Sequence, residues 1–456
     1  MMEKVAELRR CDVPRRVLVV GLGATGLACA RHLAARGCQV AVTDSREQPP
    51  GLAQLRRELP DVGLFLGGFD AEALAHAELL VVSPGVPLET PEIRQAMARG
   101  VPVVGDVELF AREVDRPVAA ITGSNGKSTV TTLVGLMARA AGLRATLGGN
   151  LGEPVLNLLA EEADLHVIEL SSFQLETTFS LTPAVATVLN LSPDHLDRYP
   201  SFAAYAETKG RIYERAEVAV RNLDDPLAAA LSRGGETLDF TLEAPAHRGV
   251  FGVRRIDGEP WLCRGDEPLM AAAELLIPGL HNRANALAAL AMGHALALPL
   301  APMLQVLRTF PGLPHRTRFV AEIEGVRWYD DSKGTNPGAT IAALEGLAEE
   351  GDGRTLLIAG GQAKGADFTE LGEAIRRRVA VLILLGEDRE RIAAAAGDQV
   401  PTVRVDSMEE AVAAAADRAQ PGDRVLLSPA CASFDQFRNY EHRGQVFQDA
   451  VGRLAS

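Results

Sequence analysis

Four side chains in the first half of this chain have types and spacing suited to handling a triphosphate. Lys127 and Ser128 close the run Gly123-Ser-Asn125-Gly126-Lys-Ser, with Thr129 next. Gly123 and Gly126 let the backbone curl so that successive N–H groups point inward at phosphate oxygens. Lys127 reaches the outer phosphates and the Ser128 hydroxyl suits Mg²⁺. A full phosphate-loop pattern has a glycine where this chain has Ile121, so the run is the shortened form, GxxGK[ST]. An ordinary glycine turn is the plainer reading, and the context weighs against it: strand before, helix after, acid and histidine downstream. Glu169 ends a buried apolar run, where a carboxylate beside a triphosphate loop serves as a Mg²⁺ ligand. His195 lies in a polar loop after another such run and reads as a ligand or a base. Lys209 follows on a helical pattern, and by physics alone it reads as a solvated surface lysine.

A second glycine loop lies near the start. Val17 to Val20 runs into Gly21-Leu-Gly23-Ala24-Thr25-Gly26, then an Ala-rich helical pattern, then an apolar run ending at Asp44. Strand, GxGxxG, helix, strand, acid is the dinucleotide fingerprint, which taken alone favours NAD. The glycines themselves require only that some phosphate approach the backbone closely. Ser83-Pro84-Gly85 forms another tight loop after an apolar run, so these loops and Asp44-Ser45-Arg46 are expected to line one crevice.

The elements that must position these groups alternate. Short apolar runs at 79–82, 118–121, 165–170 and 184–189 read as buried strands, with 102–106 as a last strand of the first unit. A helix is expected over 205–213. From 216 to 276 the pattern turns to shorter strands, expected to form a smaller, partly antiparallel sheet. Four strand-like runs follow, at 327–329, 355–359, 380–385 and 424–427, each ending in a polar loop. The expected fold class is α/β with three domains: 1–106, 107–312 and 313–456, the last boundary falling at the proline-rich stretch Phe310 to Arg316.

The chain of 456 residues is 47% hydrophobic and 23% charged, a balance with ample material for several cores. Its formal net charge of −14 argues against a general attraction to nucleic acid or anionic lipid. The N-terminus mixes charges (Glu3, Lys4, Glu7, Arg9, Arg10) without an apolar signal core, and no run approaches membrane-spanning length. Five cysteines (Cys11, Cys29, Cys38, Cys263, Cys431) lack metal or disulfide spacing. The expectation is a cytoplasmic monomer with no nucleic-acid or membrane partner.

Together the motifs resemble the Mur ligases, the ATP-dependent amide-bond-forming enzymes of bacterial cell-wall synthesis. The resemblance spans the chain: GSNGKS (123–128), GGNLG (148–152), ELSSFQLE (169–176), NLSPDHLDRY (190–199), HNRAN (281–285), LPHR (313–316), DSKGTN (331–336) and SPACASFDQF (428–437). The last two, with GLGATG, look most like the glutamate-adding member. This implies an N-terminal Rossmann-like domain for UDP, a central P-loop-type ATPase domain and a C-terminal Rossmann-like domain for glutamate. It assigns Gly23, Ala24, Thr25, Asp44, Ser45, Arg46, Ser83, Pro84, Gly85, Asn150 and His195 to the UDP-N-acetylmuramoyl-L-alanine substrate. ATP would be held by Gly123, Asn125, Gly126, Lys127, Ser128, Thr129, Asn282, Asn285, His315, Arg316, Asp331 and Lys333. Ser128, Glu169, His195 and a carbamylated Lys209 would hold Mg²⁺. Thr335, Lys364, Ser433 and Tyr440 would bind glutamate, although Gln362 and Tyr440 replace the Asp and Phe expected of relatives, so this pocket differs in detail.

The implied reaction turns the muramoyl-alanine carboxylate into an acyl phosphate at the expense of ATP. The glutamate amine, deprotonated by a base for which His195 is the choice, then attacks to give a tetrahedral intermediate. D-glutamate is the expected isomer, with L-glutamate the alternative. An NAD(P)-dependent oxidoreductase would explain GLGATG and Asp44 but leaves GSNGKS without a task. A folate–glutamate ligase would lack the first domain.

Overall fold

The computed structural model describes residues 15–195, 197–232, 234–277, 279–348 and 353–454. The charge mixture at the N-terminus, Cys11 and Leu196 of the NLSPDHLDRY run lie outside them. Three sheets follow one another along the chain.

The first sheet has five strands: β1 (Arg16–Val20), β2 (Gln39–Asp44), β3 (Gly63–Leu66), β4 (Leu79–Val82) and β5 (Val103–Val104). Their order is β3-β2-β1-β4-β5 and every pairing is parallel. Val20 pairs with Thr43 on one side and Val82 on the other, so the loops after β1, β2 and β4 emerge at one edge. The strand expected over 102–106 is shorter: it stops at Val104, and Asp106 opens a helix, Asp106–Ala111. Gly105 ends the strand because its N–H is turned to the carbonyl of Thr177 in the next sheet's domain.

The second sheet is larger than its pattern implied. β6 (Val118–Thr122), β7 (Ala145–Gly149), β8 (Leu165–Glu169), β9 (Val185–Val188), β10 (Val218–Asn222), β11 (Glu236–Phe240), β12 (Val250–Ile256), β13 (Glu259–Arg264) and β14 (Glu267–Ala271) form one nine-stranded sheet. The order is β14-β13-β12-β11-β10-β9-β6-β8-β7. The separate smaller sheet expected over 216–276 is thus a correction: β10, β11 and β12 extend the parallel run, and only β13 and β14 turn antiparallel. β6 and β8 are buried along their whole length, as parallel interior strands are. Over them the helix Lys127–Ala140 packs Leu133, Val134 and Met137 against Ala286, Leu287 and Leu290 of the helix Leu280–Ala295, all in one core. Truncating Leu133 or Leu290 to Ala would destabilise this layer by about 2–5 kcal/mol. The helix expected over 205–213 runs from Phe202 to Gly210, capped by the Ser201 hydroxyl on the Ala204 N–H, and tightens into a 3₁₀ turn over Arg211–Tyr213.

The third sheet is β15 (Arg318–Ile323), β16 (Val326–Asp330), β17 (Thr355–Ala359), β18 (Val379–Leu384), β19 (Thr402–Arg404) and β20 (Arg424–Leu427), ordered β15-β16-β20-β17-β18-β19. β15 is antiparallel and the rest are parallel. In this sheet only the edge strands β15 and β19 escaped the sequence pattern: neither has a fully buried position, and their apolar runs are no longer than three residues.

Candidate active site

The phosphate loop follows β6 directly. Gly126 caps the helix at φ +83, and a side chain there would collide with the Asn285 amide oxygen, so glycine is required on both counts. The loop is laced to the segment after β9. Asn190 accepts from the Ser124 N–H through its carbonyl at 2.9 Å and from the Asn125 N–H through its side-chain oxygen at 2.8 Å. Its amide donates back to the Asn125 carbonyl at 3.1 Å. This corrects the expected cradle. Two of the loop's N–H groups are already taken, which leaves those of Lys127, Ser128 and Thr129 in the helix's first turn, where the dipole favours an anion.

Two lysines converge behind the loop. Lys127 Nζ donates to the carbonyls of Gly123 (2.9 Å) and Ser124 (3.0 Å). Lys209 Nζ donates to the same Gly123 carbonyl at 3.0 Å and lies 4.8 Å from the centre of the Tyr205 ring. Lys209 is only 2% exposed, so the surface reading of this residue is wrong: its helix turns it inward. Burial, reinforced by the Lys127 charge, pushes the Lys209 amine well below its ordinary value, and burial also lowers Lys127.

Glu169, at the end of β8, is equally buried. One carboxylate oxygen accepts from the Asn150 amide at 2.7 Å, while the other is enclosed without any partner. His195 holds a left-handed backbone, φ +54, with its ring edge-on to Phe173 at 4.7 Å and Nε2 3.6 Å from Asp194. Burial lowers its pKa below the ordinary 6.5, leaving a nitrogen lone pair free. Among the described residues no three His, Cys, Asp or Glu gather into a metal cluster. A cation here would therefore take Glu169's unpartnered oxygen and His195, with the Ser128 hydroxyl and other oxygens completing the set.

Residues of the third domain reach this loop. Arg316 donates to the Ser128 hydroxyl at 3.0 Å, and Asn336 to the Asn125 side-chain oxygen at 3.3 Å. Between the domains lies a cavity of about 120 Å³ that gathers Asn125, Gly126, Thr129, Asn282, Asn285, Arg316 and Asp331. Its further walls include His281, which opens the HNRAN run, and Asn222, Phe240 and Thr317, which no motif marked: the first two sit inside ordinary strand patterns and Thr317 just ahead of β15. Burial pushes the Asp331 carboxyl up to about 7, although Ser428 (2.7 Å) and the Thr317 N–H (3.0 Å) donate to it. His315 is turned away from the cavity, with Nδ1 2.6 Å from Asp330.

A cleft of about 470 Å³ opens at the first sheet's loop edge. It collects Gly23, Ala24, Thr25, Asp44, Ser45, Arg46, Ser83, Pro84, Gly85 and, from the second domain, Asn150. Gln174, which sequence reasoning passed over, lines it too; its side chain closes a capping box with Ser171 and donates to Asp106 at 3.2 Å. Asp44 is fully engaged. It accepts from the Leu22 N–H (2.7 Å), the Arg46 N–H (2.9 Å) and both arms of the Arg46 guanidinium (2.8 and 2.7 Å). Burial opposes its ionisation, but those donors prevail and hold the carboxyl at about 2. A carboxylate so occupied is not waiting for the ribose of NAD.

The four residues assigned to glutamate sit on loops at the third sheet's edge. Thr335 follows β16, Lys364 follows β17, Ser433 follows β20, and Tyr440 opens the helix Tyr440–Leu454. Paired bonds between Gln362 and Ala432 tie the second and third of these loops together, both at 2.9 Å. Lys333 Nζ lies 3.9 Å over the Tyr440 ring and Lys364 Nζ 5.1 Å over Phe434. Beneath them Arg443, 1% exposed, donates to the carbonyls of Ser332 and Cys431. No sequence signal marks that arginine, since a cation on an amphipathic helix reads as surface.

A nucleotide-sized cleft at the first sheet's loop edge, a phosphate loop on the second and third-domain residues reaching that loop make up the site of a nucleotide-using enzyme, and comparison with known proteins gives the family. Family models for the Mur ligase MurD-like N-terminal domain, the Mur ligase middle domain and the Mur ligase glutamate ligase domain match residues 15–105, 121–293 and 315–431. The chain belongs to the Mur ligase family of ATP-dependent amide-bond-forming enzymes. It is 53% identical over 439 residues to the UDP-N-acetylmuramoylalanine–D-glutamate ligase of Pseudomonas putida, covering 96% of this chain and 97% of that one. It is 54% identical over 441 residues to the enzyme of the same name from Nitrosococcus oceani, with the same coverage. Among solved structures, the UDP-N-acetylmuramate–alanine ligase MurC of Thermotoga maritima shares the fold at a TM-score of 0.62 and 19% identity, covering 96% of this chain and 99% of that one. MurF from Acinetobacter baumannii does so at 0.61 and 18%, covering 95% and 90%. No described helix is long and apolar enough to cross a membrane.

Proposed function

We propose that this protein joins D-glutamate to UDP-N-acetylmuramoyl-L-alanine with ATP, as a cytoplasmic monomer in peptidoglycan precursor synthesis. The observation that carries the reading is the full-length identity to D-glutamate ligases, with the nucleotide cleft, the phosphate loop and the amino-acid loops all present on one chain.

The residues divide the work by domain. The Gly23–Thr25 and Ser83–Gly85 backbones hold the UDP group, and Asn150 meets the muramoyl part. Lys127 and the first-turn N–H groups hold the outer phosphates, with Asn282, Asn285, Arg316, Asp331 and Lys333 around the rest of ATP and His315 bracing the loop that carries Arg316. Glu169, His195, Ser128 and a carbamate on Lys209 hold Mg²⁺, which when bound supplies positive charge where phosphoryl charge develops. Thr335, Lys364, Ser433 and Tyr440 fix the glutamate. The alanine carboxylate oxygen takes the γ-phosphoryl group of ATP, with ADP leaving, to give an acyl phosphate; the amine then attacks its carbonyl carbon and phosphate leaves from the tetrahedral intermediate. The amine must lose a proton as it attacks, and His195 takes it in a state in which its ring does not hold the metal.

The test is phosphate release from ATP in the presence of UDP-N-acetylmuramoyl-L-alanine and each glutamate isomer. Release should need both substrates and prefer D-glutamate. Release that continues without the UDP substrate, or that prefers the L isomer, would overturn the assignment.

A further inference from the structure

Arg198 is a half-buried cation between two domains, its side chain 13% exposed. It belongs to the second domain, yet it donates to two carbonyls of the first: Pro84 at 2.7 Å and Val86 at 3.3 Å. Those carbonyls belong to the loop that walls the nucleotide cleft. A third contact is the Glu176 carboxylate at 3.1 Å. The guanidinium carbon lies 3.9 Å from the centre of the Phe173 ring, which meets the His195 imidazole edge-on with centres 4.7 Å apart. The Arg198 N–H also donates to the His195 carbonyl at 2.9 Å, closing the turn in which His195 holds its left-handed backbone. A shift of the Ser83–Val86 loop therefore reaches His195 by two contacts of Arg198, its backbone N–H on the His195 carbonyl and its guanidinium on the Phe173 ring that meets the imidazole.

We propose that Arg198 is a positioning residue that couples occupancy of the first domain's nucleotide cleft to the setting of His195 beside the phosphate loop. A planar fork is needed because it meets two carbonyls and a carboxylate from one position over the Phe173 ring, which an ammonium does not do. The proposal rests on the ligase reading for the identity of its two ligands.

The experiment is a binding linkage measured by calorimetry, without turnover. The affinity for the β,γ-imido analogue of ATP with Mg²⁺ is measured with and without saturating UDP-N-acetylmuramoyl-L-alanine. Wild type should show a coupling of about fivefold or more, and the same factor should appear in the reverse titration. In Arg198→Lys it should fall below about twofold while each ligand still binds alone. Phe173→Leu, which leaves the carbonyl contacts in place, should lose coupling in the same way. Coupling retained in both variants, with merely weaker binding of the UDP substrate, would make Arg198 structural and overturn the proposal. A wild type that binds both ligands without coupling would also overturn it. A wild type that binds neither ligand would overturn the ligase reading and this proposal with it.

Discussion

Lys127 and Lys209 donate to a single acceptor, the carbonyl oxygen of Gly123, at 2.9 and 3.0 Å. Two full charges crowded on one buried oxygen repel, and burial together with the Lys127 charge pushes the Lys209 amine well below its ordinary value, towards the neutral form. A neutral amine is the form that adds to CO₂. Lys127 keeps the task of a cation at the phosphates.

Lys209→Ala should therefore be nearly inactive, and acetate should restore part of its turnover by supplying the missing anion. Stripping CO₂ from wild type should lower turnover, and bicarbonate should restore it. The carbamate reading fails if acetate leaves the variant unchanged and bicarbonate leaves wild type unchanged.

Lys127→Ala should lose on the order of 10²–10³ in turnover, the scale for removing one preorganised charge from a developing anion. Calorimetric binding of the UDP substrate should survive, because the nucleotide cleft lies in another domain. Near-normal phosphate release would refute the assignment.

Lys333 gives a pH dependence. Burial, with Arg316 adding to it, pushes its pKa down to about 8. The charged form that meets an anion exists below that value, so kcat/KM for ATP should fall as pH rises through 8, and Lys333→Arg should remove the fall. Stability runs the other way. The folded value lies below the unfolded one of about 10.4, so the protonated lysine weakens the fold at pH below 8, and the penalty fades between there and 10.4. Lys333→Met should raise Tm most below pH 8 and least near pH 10; a pH-independent difference in Tm would contradict the burial argument.

Gly23 and Gly26 separate ligand binding from folding in one loop. A methyl added at Gly23 meets nothing, whereas at Gly26 it runs into the Gly21 carbonyl. Gly23→Val should keep its Tm and lose affinity for UDP, because the side chain fills the space of the pyrophosphate. Gly26→Ala should lower Tm as well. A Gly23→Val protein that binds UDP as wild type does would remove this loop from the site.

Glu169→Gln tests the unpartnered oxygen. The amide keeps the contact to Asn150 in shape but cannot offer a charged oxygen to a cation. Mg²⁺ should be needed at a concentration at least about tenfold higher for half-maximal phosphate release. An unchanged Mg²⁺ dependence would send the metal elsewhere.

The order of strands and helices was legible in the chain because short apolar runs, each ended by glycines and polar residues, leave little choice but buried parallel strands. Parallel strands share a direction, so GLGATG, Asp44–Arg46 and Ser83–Gly85 had to meet at one edge, and they do. The phosphate loop was legible for the same reason. What the pattern did not contain was distance between segments. Only the packed structure turns Lys209 under the loop, occupies two loop N–H groups with Asn190, engages Asp44 with Arg46, merges β10 to β14 into the second sheet, buries Arg443 and wedges Arg198 between two domains. Periodicity reports which face of an element is apolar. Where a long cationic side chain ends depends on carbonyls and rings that other segments bring to it, and only the tertiary structure places those.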